Sequence, residues 1–267
     1  MKKFKILSLF ALSAVVMSCS QVPLTGRSQL SLVSDEALQQ QANGAYRQFL
    51  SDSKTKVVTS GAQAQQVKNV GSKIASAINR YMQSNGYGNK YNYQYEFNLI
   101  ESKDINAWCM PGGKVAIYTG ILPVTRDETG LATVMGHEIA HAVAQHAAER
   151  FSQMTAAQVG GGVIGAAAGG RSEGTQQLIG QLYGVGGQLA LLKYSRKQET
   201  EADRLGLVFM AMAGYNPDNA VRFWERMAAA KQGGGAPPEF LSTHPSDATR
   251  IAQIKKHLPE ARKYYKK

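Results

Sequence analysis

An H-E-x-x-H pattern lies at residues 137–141, with His137, Glu138 and His141 as its fixed positions. Residues four apart share one helix face, so both imidazoles can bind one metal ion, while Glu138 can reach a water molecule beside it. Two imidazoles, a carboxylate and an open position are typical of catalytic zinc, whereas structural zinc sites are closed, usually by cysteines. The pattern predicts a hydrolytic centre with one Zn²⁺ per chain. The alternative is a pair of helix histidines that are merely packed or solvated.

A third metal ligand is expected in the acidic run at residues 199–203. Glu199 and Asp203 lie four residues apart, on one helix face. Glu199 is therefore the candidate ligand, and Asp203 the candidate acceptor of a hydrogen bond from the outer nitrogen of a metal-bound histidine. Glu201 falls roughly on the opposite side and is expected to be solvated. The helix dipole alone favours acids at a helix start, but the H-E-x-x-H pattern favours ligation here.

The histidine pattern needs a helix to present it. Thr125 and Glu128 fit a T-x-x-E capping box, which predicts one long helix over residues 126–149. His146 falls within that helix but does not fit the spacing of the metzincin pattern, so we expect it to be a polar helix residue.

The acidic run needs a second helix. Ser195 and Gln198 fit an S-x-x-Q capping box that opens such a helix, and Gly214 marks its end. Two amphipathic helices are expected earlier in the chain, one capped by Ser34 and one over residues 62–82.

Three short strands are predicted between the two pairs of helices. Residues 91–100 alternate and are rich in aromatic side chains, while the strands at 107–110 and 115–118 flank a Pro-Gly-Gly turn. Residues 216–267 predict two further helices joined by a loop. The pattern is that of a predominantly helical α+β protein.

The composition excludes several classes of protein. The 267 residues include 30 Lys and Arg against 19 Asp and Glu, a formal charge of +11. With 43% hydrophobic and 18% charged residues, the chain matches neither disordered nor multi-span membrane proteins, and two cysteines exclude a disulfide scaffold. Because no aromatic-basic cluster is present, we expect no nucleic-acid partner. The positive charge is typical of a solvated surface or one facing an anionic membrane.

The N-terminus predicts export. Residues 1–18 combine a basic start with an apolar run that is too short for an ordinary membrane span, which is typical of a secretory signal. The Ser18-Cys19 junction resembles a bacterial lipoprotein signal, so Cys19 is the candidate lipidation site and the lipid the expected contact with the membrane. Residues 19–33 are then expected to be a tether, and residues 34–267 a single catalytic domain.

A Gly/Ala-rich segment interrupts the predicted domain at residues 156–192. Several glutamines and many glycines weigh against a membrane span, so we interpret the segment as a lid or a membrane-touching hairpin.

Four motifs together carry a family resemblance: N-A-W-C-M-P-G-G, H-E-I-A-H, S-R-K-Q-E-T-E-A-D and S-T-H-P. In this combination the chain resembles the HtpX and CAAX-prenyl-protease class of zinc metalloproteases over residues 34–256. Within the class, the lipoprotein-type signal and the lack of an obvious repeat domain are most similar to LoiP-like periplasmic members.

The resemblance implies a zincin-type fold with a small sheet whose edge strand borders the active-site cleft. The matching strand begins at residue 106, and an edge strand can bind an extended polypeptide through its main chain. For Trp108 and Met110 the alternative is core packing, and for Cys109 it is the role of a small buried hydrophobe. The candidate substrate-binding residues of this strand are Asn106, Ala107, Trp108, Cys109 and Met110.

The same resemblance assigns roles to two C-terminal residues. His244 is implied as a catalytic residue that donates to the oxyanion, or that occupies the open zinc position in a resting state. Arg250 is implied as a contact to a substrate carbonyl. The alternatives are a solvent-facing loop histidine and a surface arginine.

The function implied is a zinc-dependent endopeptidase that acts on unfolded or misassembled cell-envelope proteins, with the envelope assembly machinery as a further possible partner. The protein is then expected to be lipid-anchored and to face the periplasm, at the outer membrane. One alternative is a chaperone-like binding protein on a latched, proteolytically silent scaffold. A non-peptidase zinc hydrolase is a third interpretation, which would leave the edge strand unused.

Overall fold

The computed structural model describes residues 19–88, 90, 91, 93–160, 194–232, 240, 241, 244 and 248–266, with only the backbone of 157–160, 231, 232 and 248. The predicted signal at residues 1–18 lies outside this range, as does nearly all of the Gly/Ala-rich segment at 156–192. Within the described ranges, none of the helices has the length and apolar character needed to span a bilayer.

Helices dominate the described part of the chain, and short strands form two sheets, as the α+β prediction requires. The strands are β1 Cys19–Gln21, β2 Ser28–Leu30, β3 Val57–Val58, β4 Glu96–Ile100, β5 Ala107–Met110 and β6 Lys114–Tyr118. The helices are α1 Asp35–Ser51, α2 Ala62–Ser84, α3 Leu122–Thr125, α4 Glu128–Val143, α5 His146–Gly160, α6 Arg196–Met212, α7 Asn219–Gln232 and α8 Ala248–Arg262.

The residues expected to form a free tether are largely folded. β1 and β2 pair antiparallel, and Val22 and Gln29 are buried between this hairpin and the rest of the protein. Two residues of the turn, Leu24 and Gly26, adopt positive φ. The expectation that folding starts near Ser34 is therefore wrong by about fifteen residues, because the hairpin supplies polar contacts that its mixed composition does not reveal.

The four-stranded sheet has the order β3-β4-β6-β5, with β4 and β6 parallel and the other neighbours antiparallel. Gly112 and Gly113 adopt positive φ and form the turn between β5 and β6. The predicted strand at 91–100 begins only at Glu96, because the preceding tyrosines pack against one another instead, with the rings of Tyr91 and Tyr93 5.9 Å apart. β5 is an edge strand, as the family resemblance implies.

The long helix predicted over residues 126–149 is two helices. α4 ends at Val143, and Gln145 adopts φ 55° before α5 starts at His146. The predicted T-x-x-E cap is also wrong, because the Asp127 side chain caps α4 by accepting a hydrogen bond from the Gly130 nitrogen at 2.7 Å. No Gly or Pro marks the break.

Two hydrophobic cores hold the sheet in place. The larger core lies between the sheet and the central helices α2, α4, α6 and α7, and contains the fully buried Phe209 and Phe223. The smaller core lies between α1, β5, β6 and α5, around Tyr46 and Phe151. In the sheet, β5 therefore packs against α1 on one face and against α4 on the other.

Candidate active site

Helices α4 and α6 approach each other at two glycines. A Cβ at Gly136 would lie 2.8 Å from the Gly206 oxygen, and a Cβ at Gly206 would lie 2.8 Å from the His137 nitrogen. Real Cβ atoms do not come this close to backbone, so only glycine allows this approach. The short distance brings the acidic residues of α6 within reach of the histidines of α4.

His137 and His141 lie one turn apart on α4 and are buried, with 2% and 1% exposure. Their Nε2 atoms are 3.2 Å apart and point into the same space. Burial lowers the pKa of His141 well below its ordinary value, so that ring is neutral and can offer a lone pair. Both imidazoles of the H-E-x-x-H pattern are therefore arranged to share one metal ion.

Glu199 extends from α6 toward the two histidines. Its Oε2 lies 3.5 Å from His137 Nε2, and its Oε1 lies 3.5 Å from His141 Nε2. Although burial opposes ionisation, the neighbouring imidazoles of His244, His137 and His141 keep the pKa of Glu199 well below its ordinary value. The carboxylate is thus anionic and positioned as the third donor that the helix phase predicts.

His244 completes the cluster. Its Nδ1 lies 2.9 Å from Glu199 Oε1 and 3.2 Å from His137 Nε2, and the donor atoms of all four residues lie within 4.8 Å of one another. The backbone nitrogen of His244 donates to the backbone oxygen of Phe240. The backbone nitrogen of Phe240 donates in turn to the backbone oxygen of Ile105, next to β5. His244 is only 2% exposed, so the alternative of a solvent-facing loop histidine is wrong.

Asp203 contacts the outer nitrogen of His137, as its position one turn after Glu199 predicts. His137 Nδ1 lies 2.9 Å from Asp203 Oδ1. Burial opposes protonation of His137, but hydrogen bonds to Asp203 and Glu199 outweigh it and raise the His137 pKa. In the neutral ring the hydrogen then lies on Nδ1, which leaves Nε2 free for the metal.

Arg250 holds Asp203 in place. Its guanidinium donates to both Asp203 oxygens at 2.9 and 2.8 Å, lies 3.1 Å from Glu199 Oε2, and stacks over Trp224 at 3.4 Å. Arg250 is 5% exposed, so the alternative of a surface arginine is wrong. A guanidinium that contacts two carboxylates fixes the positions of both, here those of Asp203 and Glu199. The substrate contact implied for Arg250 stays a prediction.

Glu138 lies beside the donor cluster but outside it. The residue is 2% exposed, and its Oε1 receives no hydrogen bond from any part of the chain that the structure describes. Burial raises the Glu138 pKa to about 7, despite the opposing charge of His244, whose Nε2 lies 3.5 Å away. A carboxylate with a pKa near neutrality can accept and release a proton at physiological pH.

The donor set fits a divalent metal ion. Three ring nitrogens and a carboxylate converge, and Nε2 of His137 lies 3.2 Å from both Nε2 of His141 and Nδ1 of His244. Buried lone pairs in contact are unfavourable unless a cation lies between them. Nitrogen and carboxylate donors without thiolate suit zinc and other borderline divalent metals.

Edge strand β5 runs beside this cluster. Asn106 and Tyr118 form a hydrogen-bonded pair, so by strand alternation the main-chain groups of Ala107 and Cys109 point to the free edge. Asn106 Oδ1 accepts from the Ala107 nitrogen at 2.8 Å. Burial raises the pKa of the Cys109 thiol well above its ordinary value, and the neighbouring Glu138 carboxylate adds to this effect. Cys109 is therefore a protonated, unreactive thiol beside Glu138.

The side chains of Trp108 and Met110 point away from the free edge. Trp108 packs against Tyr46 and Phe49, with ring centroids 5.8 and 5.1 Å apart, and Met110 is 1% exposed in the smaller core. Core packing therefore accounts for both side chains. By the same strand alternation their main-chain groups face β6, so the free edge is left to Ala107 and Cys109.

The model of peptidase family M48 matches residues 62–258. The chain belongs to peptidase family M48. This membership confirms the resemblance carried by the four motifs, and the helical body with a small sheet fits the zincin-type fold. The chain is therefore a member of a metalloprotease family.

Curated M48 relatives come from bacteria and mitochondria. The chain is 36% identical to mitochondrial metalloendopeptidase OMA1 of Schizosaccharomyces pombe over 246 residues, covering 90% of the chain and 66% of that relative. It is 30% identical to the mitochondrial metalloendopeptidase OMA1 of Homo sapiens, covering 98% and 51%. It is 28% identical to the beta-barrel assembly-enhancing protease of Escherichia coli, covering 66% and 37%. The chain spans less than two thirds of the length of each relative.

Two residues near the donor cluster, His146 and Glu201, have contacts that the sequence did not predict. His146 is fully buried, and its Nδ1 lies 2.8 Å from Nδ1 of His141. Glu201, expected to be solvated, is 6% exposed and lies 3.0 Å from His146 Nε2. The prediction failed because α5 and the N-terminal hairpin cover this side of α6, which makes both of its faces buried.

Proposed function

We propose that this M48 chain is a zinc-dependent endopeptidase that binds one Zn²⁺. The observation that carries the proposal is the convergence of His137 Nε2, His141 Nε2 and Glu199 beside the Glu138 carboxylate. His137, His141 and Glu199 would hold the ion. Zinc, when bound, polarises a substrate carbonyl and lowers the pKa of water to about 7.

Glu138 supplies the proton chemistry. Its Oε1 has no hydrogen-bond partner among the described residues, so it is available to accept a proton from the attacking water molecule. The same oxygen then passes that proton to the nitrogen of the leaving amine. A carboxyl whose pKa lies near 7 suits both steps, because it neither holds the proton too tightly nor releases it too readily.

The substrate is proposed to be an extended polypeptide bound along β5. The main-chain groups of Ala107 and Cys109 face the free edge, so a peptide can add to the sheet as a further strand beside Glu138. Main-chain pairing makes little demand on side chains, and it requires a segment that is not already folded. Unfolded or misassembled proteins meet that requirement better than folded ones.

His244 closes the donor set in the conformation described. With three nitrogens and one carboxylate within 4.8 Å, the ring nitrogen of His244 would take the position that catalysis needs open. We therefore propose that the structure represents a resting state, and that His244 moves when substrate binds. A permanently closed set would instead make the chain a chaperone-like binding protein, which is the second candidate function.

The cellular setting is proposed from two observations. The segment before Cys19 resembles a lipoprotein signal, and one relative is named for enhancing beta-barrel assembly. Both suggest a lipid-anchored protein that faces the periplasm at the outer membrane and degrades misassembled envelope proteins. The envelope assembly machinery is the proposed partner, and no nucleic-acid partner is proposed.

The experiment measures zinc content and proteolysis together. The purified chain is expected to hold one zinc per chain and to cleave casein, to lose cleavage with chelator, and to regain it with zinc. Glu199→Gln should lose the metal, whereas Glu225→Gln, at an exposed glutamate on α7, should retain it. Full zinc content in Glu199→Gln would overturn the ligand assignment.

A further inference from the structure

We propose that His146 is a positioning residue for the metal site, and that the N-terminal hairpin completes the hydrogen-bonded chain that orients it. The inference rests on the metal-binding part of the proposed function. It extends that function by connecting residues 25 and 27, just after the candidate lipidation site, to one of the metal-binding histidines.

The outer nitrogen of His141 faces a second histidine. His141 Nδ1 and His146 Nδ1 are 2.8 Å apart, and the other His146 nitrogen lies 3.0 Å from Glu201 Oε2. All three residues are buried, with exposures of 1%, 0% and 6%. The break in the helix at Gln145 makes this contact possible, because it turns His146 back toward His141.

The chemistry of the three groups sets the direction of every hydrogen bond. An ionised carboxylate only accepts, so the hydrogen of a neutral His146 must lie on Nε2 and be donated to Glu201. His146 Nδ1 is then an acceptor, and the hydrogen of His141 must lie on Nδ1. This leaves the lone pair of His141 on Nε2, the nitrogen that faces the donor cluster.

The N-terminal hairpin holds Glu201, the last residue in this series of hydrogen bonds. Arg27 Nε donates to Glu201 Oε2 at 2.6 Å, and Thr25 Oγ1 donates to Glu201 Oε1 at 2.5 Å. The same guanidinium binds both oxygens of Glu149 on α5, at 2.7 and 3.0 Å. Arg27 therefore joins the hairpin to α5 and α6, and it keeps Glu201 ionised and correctly oriented.

Asp203 and Glu201 thus serve different histidines from opposite sides of α6. Asp203 contacts His137 directly, and Glu201 acts on His141 through His146. Each arrangement fixes one ring with Nε2 toward the metal. The N-terminal hairpin is consequently part of the active-site framework and not only a connection to the membrane.

The test measures the zinc dissociation constant by competition with a chelator at 25 °C, on chains shown to be folded by circular dichroism. His146→Leu is expected to raise the constant by about 10- to 100-fold, the usual effect of losing an outer partner of a metal ligand. His146→Gln should restore most of the affinity, because its amide can accept from His141 and donate to Glu201.

Arg27→Met provides a second variant at a partly exposed position, in case His146→Leu does not fold. Arg27→Met should also raise the zinc dissociation constant, but by a smaller factor than His146→Leu. Arg204→Met is the matched control, because the hydrogen bonds of the Arg204 guanidinium run to Glu260 of α8 and not to Glu201 or Glu149. This control should leave zinc affinity unchanged.

The ¹⁵N shifts of the imidazoles report the hydrogen positions directly in the zinc-loaded wild type. The proposal predicts a hydrogen on Nδ1 of His141 and on Nε2 of His146. The opposite tautomer of His146, or unchanged zinc affinity in folded His146→Leu and Arg27→Met, would overturn it. A wild type that binds no zinc would instead refute the proposed function.

Discussion

Gly206 of α6 packs directly on the backbone of His137 in α4. A Cβ at position 206 would lie 2.8 Å from the His137 nitrogen and 3.0 Å from its Cα. This contact sets the separation of the two helices at the level of the candidate metal ligands. The acidic residues of α6 reach the histidines because no side chain separates the helices there.

Gly206→Ala is therefore expected to destabilise the protein and to weaken zinc binding. The added methyl group must push the helices apart, at a cost of about 1–3 kcal/mol for overpacking. Gly44→Ala is the matched control, since a Cβ in that helix would meet nothing within 4 Å and should stabilise slightly. Urea unfolding and zinc content measure both effects. Unchanged stability and zinc content in Gly206→Ala would contradict the role given to this contact.

The spacing of residues along one helix predicted the part of the site in which both partners belong to the same helix. His137 and His141, like Glu199 and Asp203, are pairs four residues apart, and the structure brings all four together. These pairs were predictable because a helix fixes the relative directions of its own side chains. His146 was not, because its direction depends on a helix break that no Gly or Pro marks.

Contacts between distant segments were also beyond the sequence patterns. Glu201 is buried because Arg27, 174 residues earlier, lies on it. Arg250 pairs with Asp203 across 47 residues, where sequence alone also allowed a surface arginine. Local periodicity predicts which face of a helix is apolar, but it does not reveal which polar groups meet when two distant segments pack together.

Glu138→Gln is expected to stabilise the metal-free protein at high pH. The Glu138 pKa is about 7 in the folded chain and 4.5 ordinarily, so the folded state binds more protons between these values. The free energy of unfolding of the wild type therefore falls as pH rises from 4.5 to 7, by up to about 3 kcal/mol. Glu138→Gln does not show this decrease, because glutamine does not ionise. Urea unfolding of both chains without metal should show equal stability near pH 4.5 and a more stable variant at pH 8. Equal stability at pH 8 would contradict the burial of an ionisable Glu138.

His244→Ala is expected to retain zinc and to cleave casein several-fold faster than the wild type. The remaining three donors still hold the metal, and removal of the His244 ring opens the fourth position. Initial rates at equal zinc content provide the measurement. A collapse in rate with zinc retained would show instead that His244 donates to the oxyanion.

Cys19→Ala is expected to release the protein from membranes. Cys19 is exposed at the start of the hairpin, where a lipid would not disturb the core, whereas Cys109 is partly buried in β5. Fractionation of cells that express Cys19→Ala, with Cys109→Ala as the control, measures the attachment. Continued attachment of Cys19→Ala would argue against the lipid anchor and direct attention to residues 156–192.

The most direct test of the central claim compares casein cleavage by the wild type and by Glu138→Gln at equal zinc content. If Glu138 moves the proton in peptide hydrolysis, the wild type cleaves and the variant is slower by about 10²- to 10⁴-fold. Equal rates in the two chains would contradict the assignment of Glu138. Absence of cleavage by both, with zinc bound, would favour a binding protein on a protease scaffold.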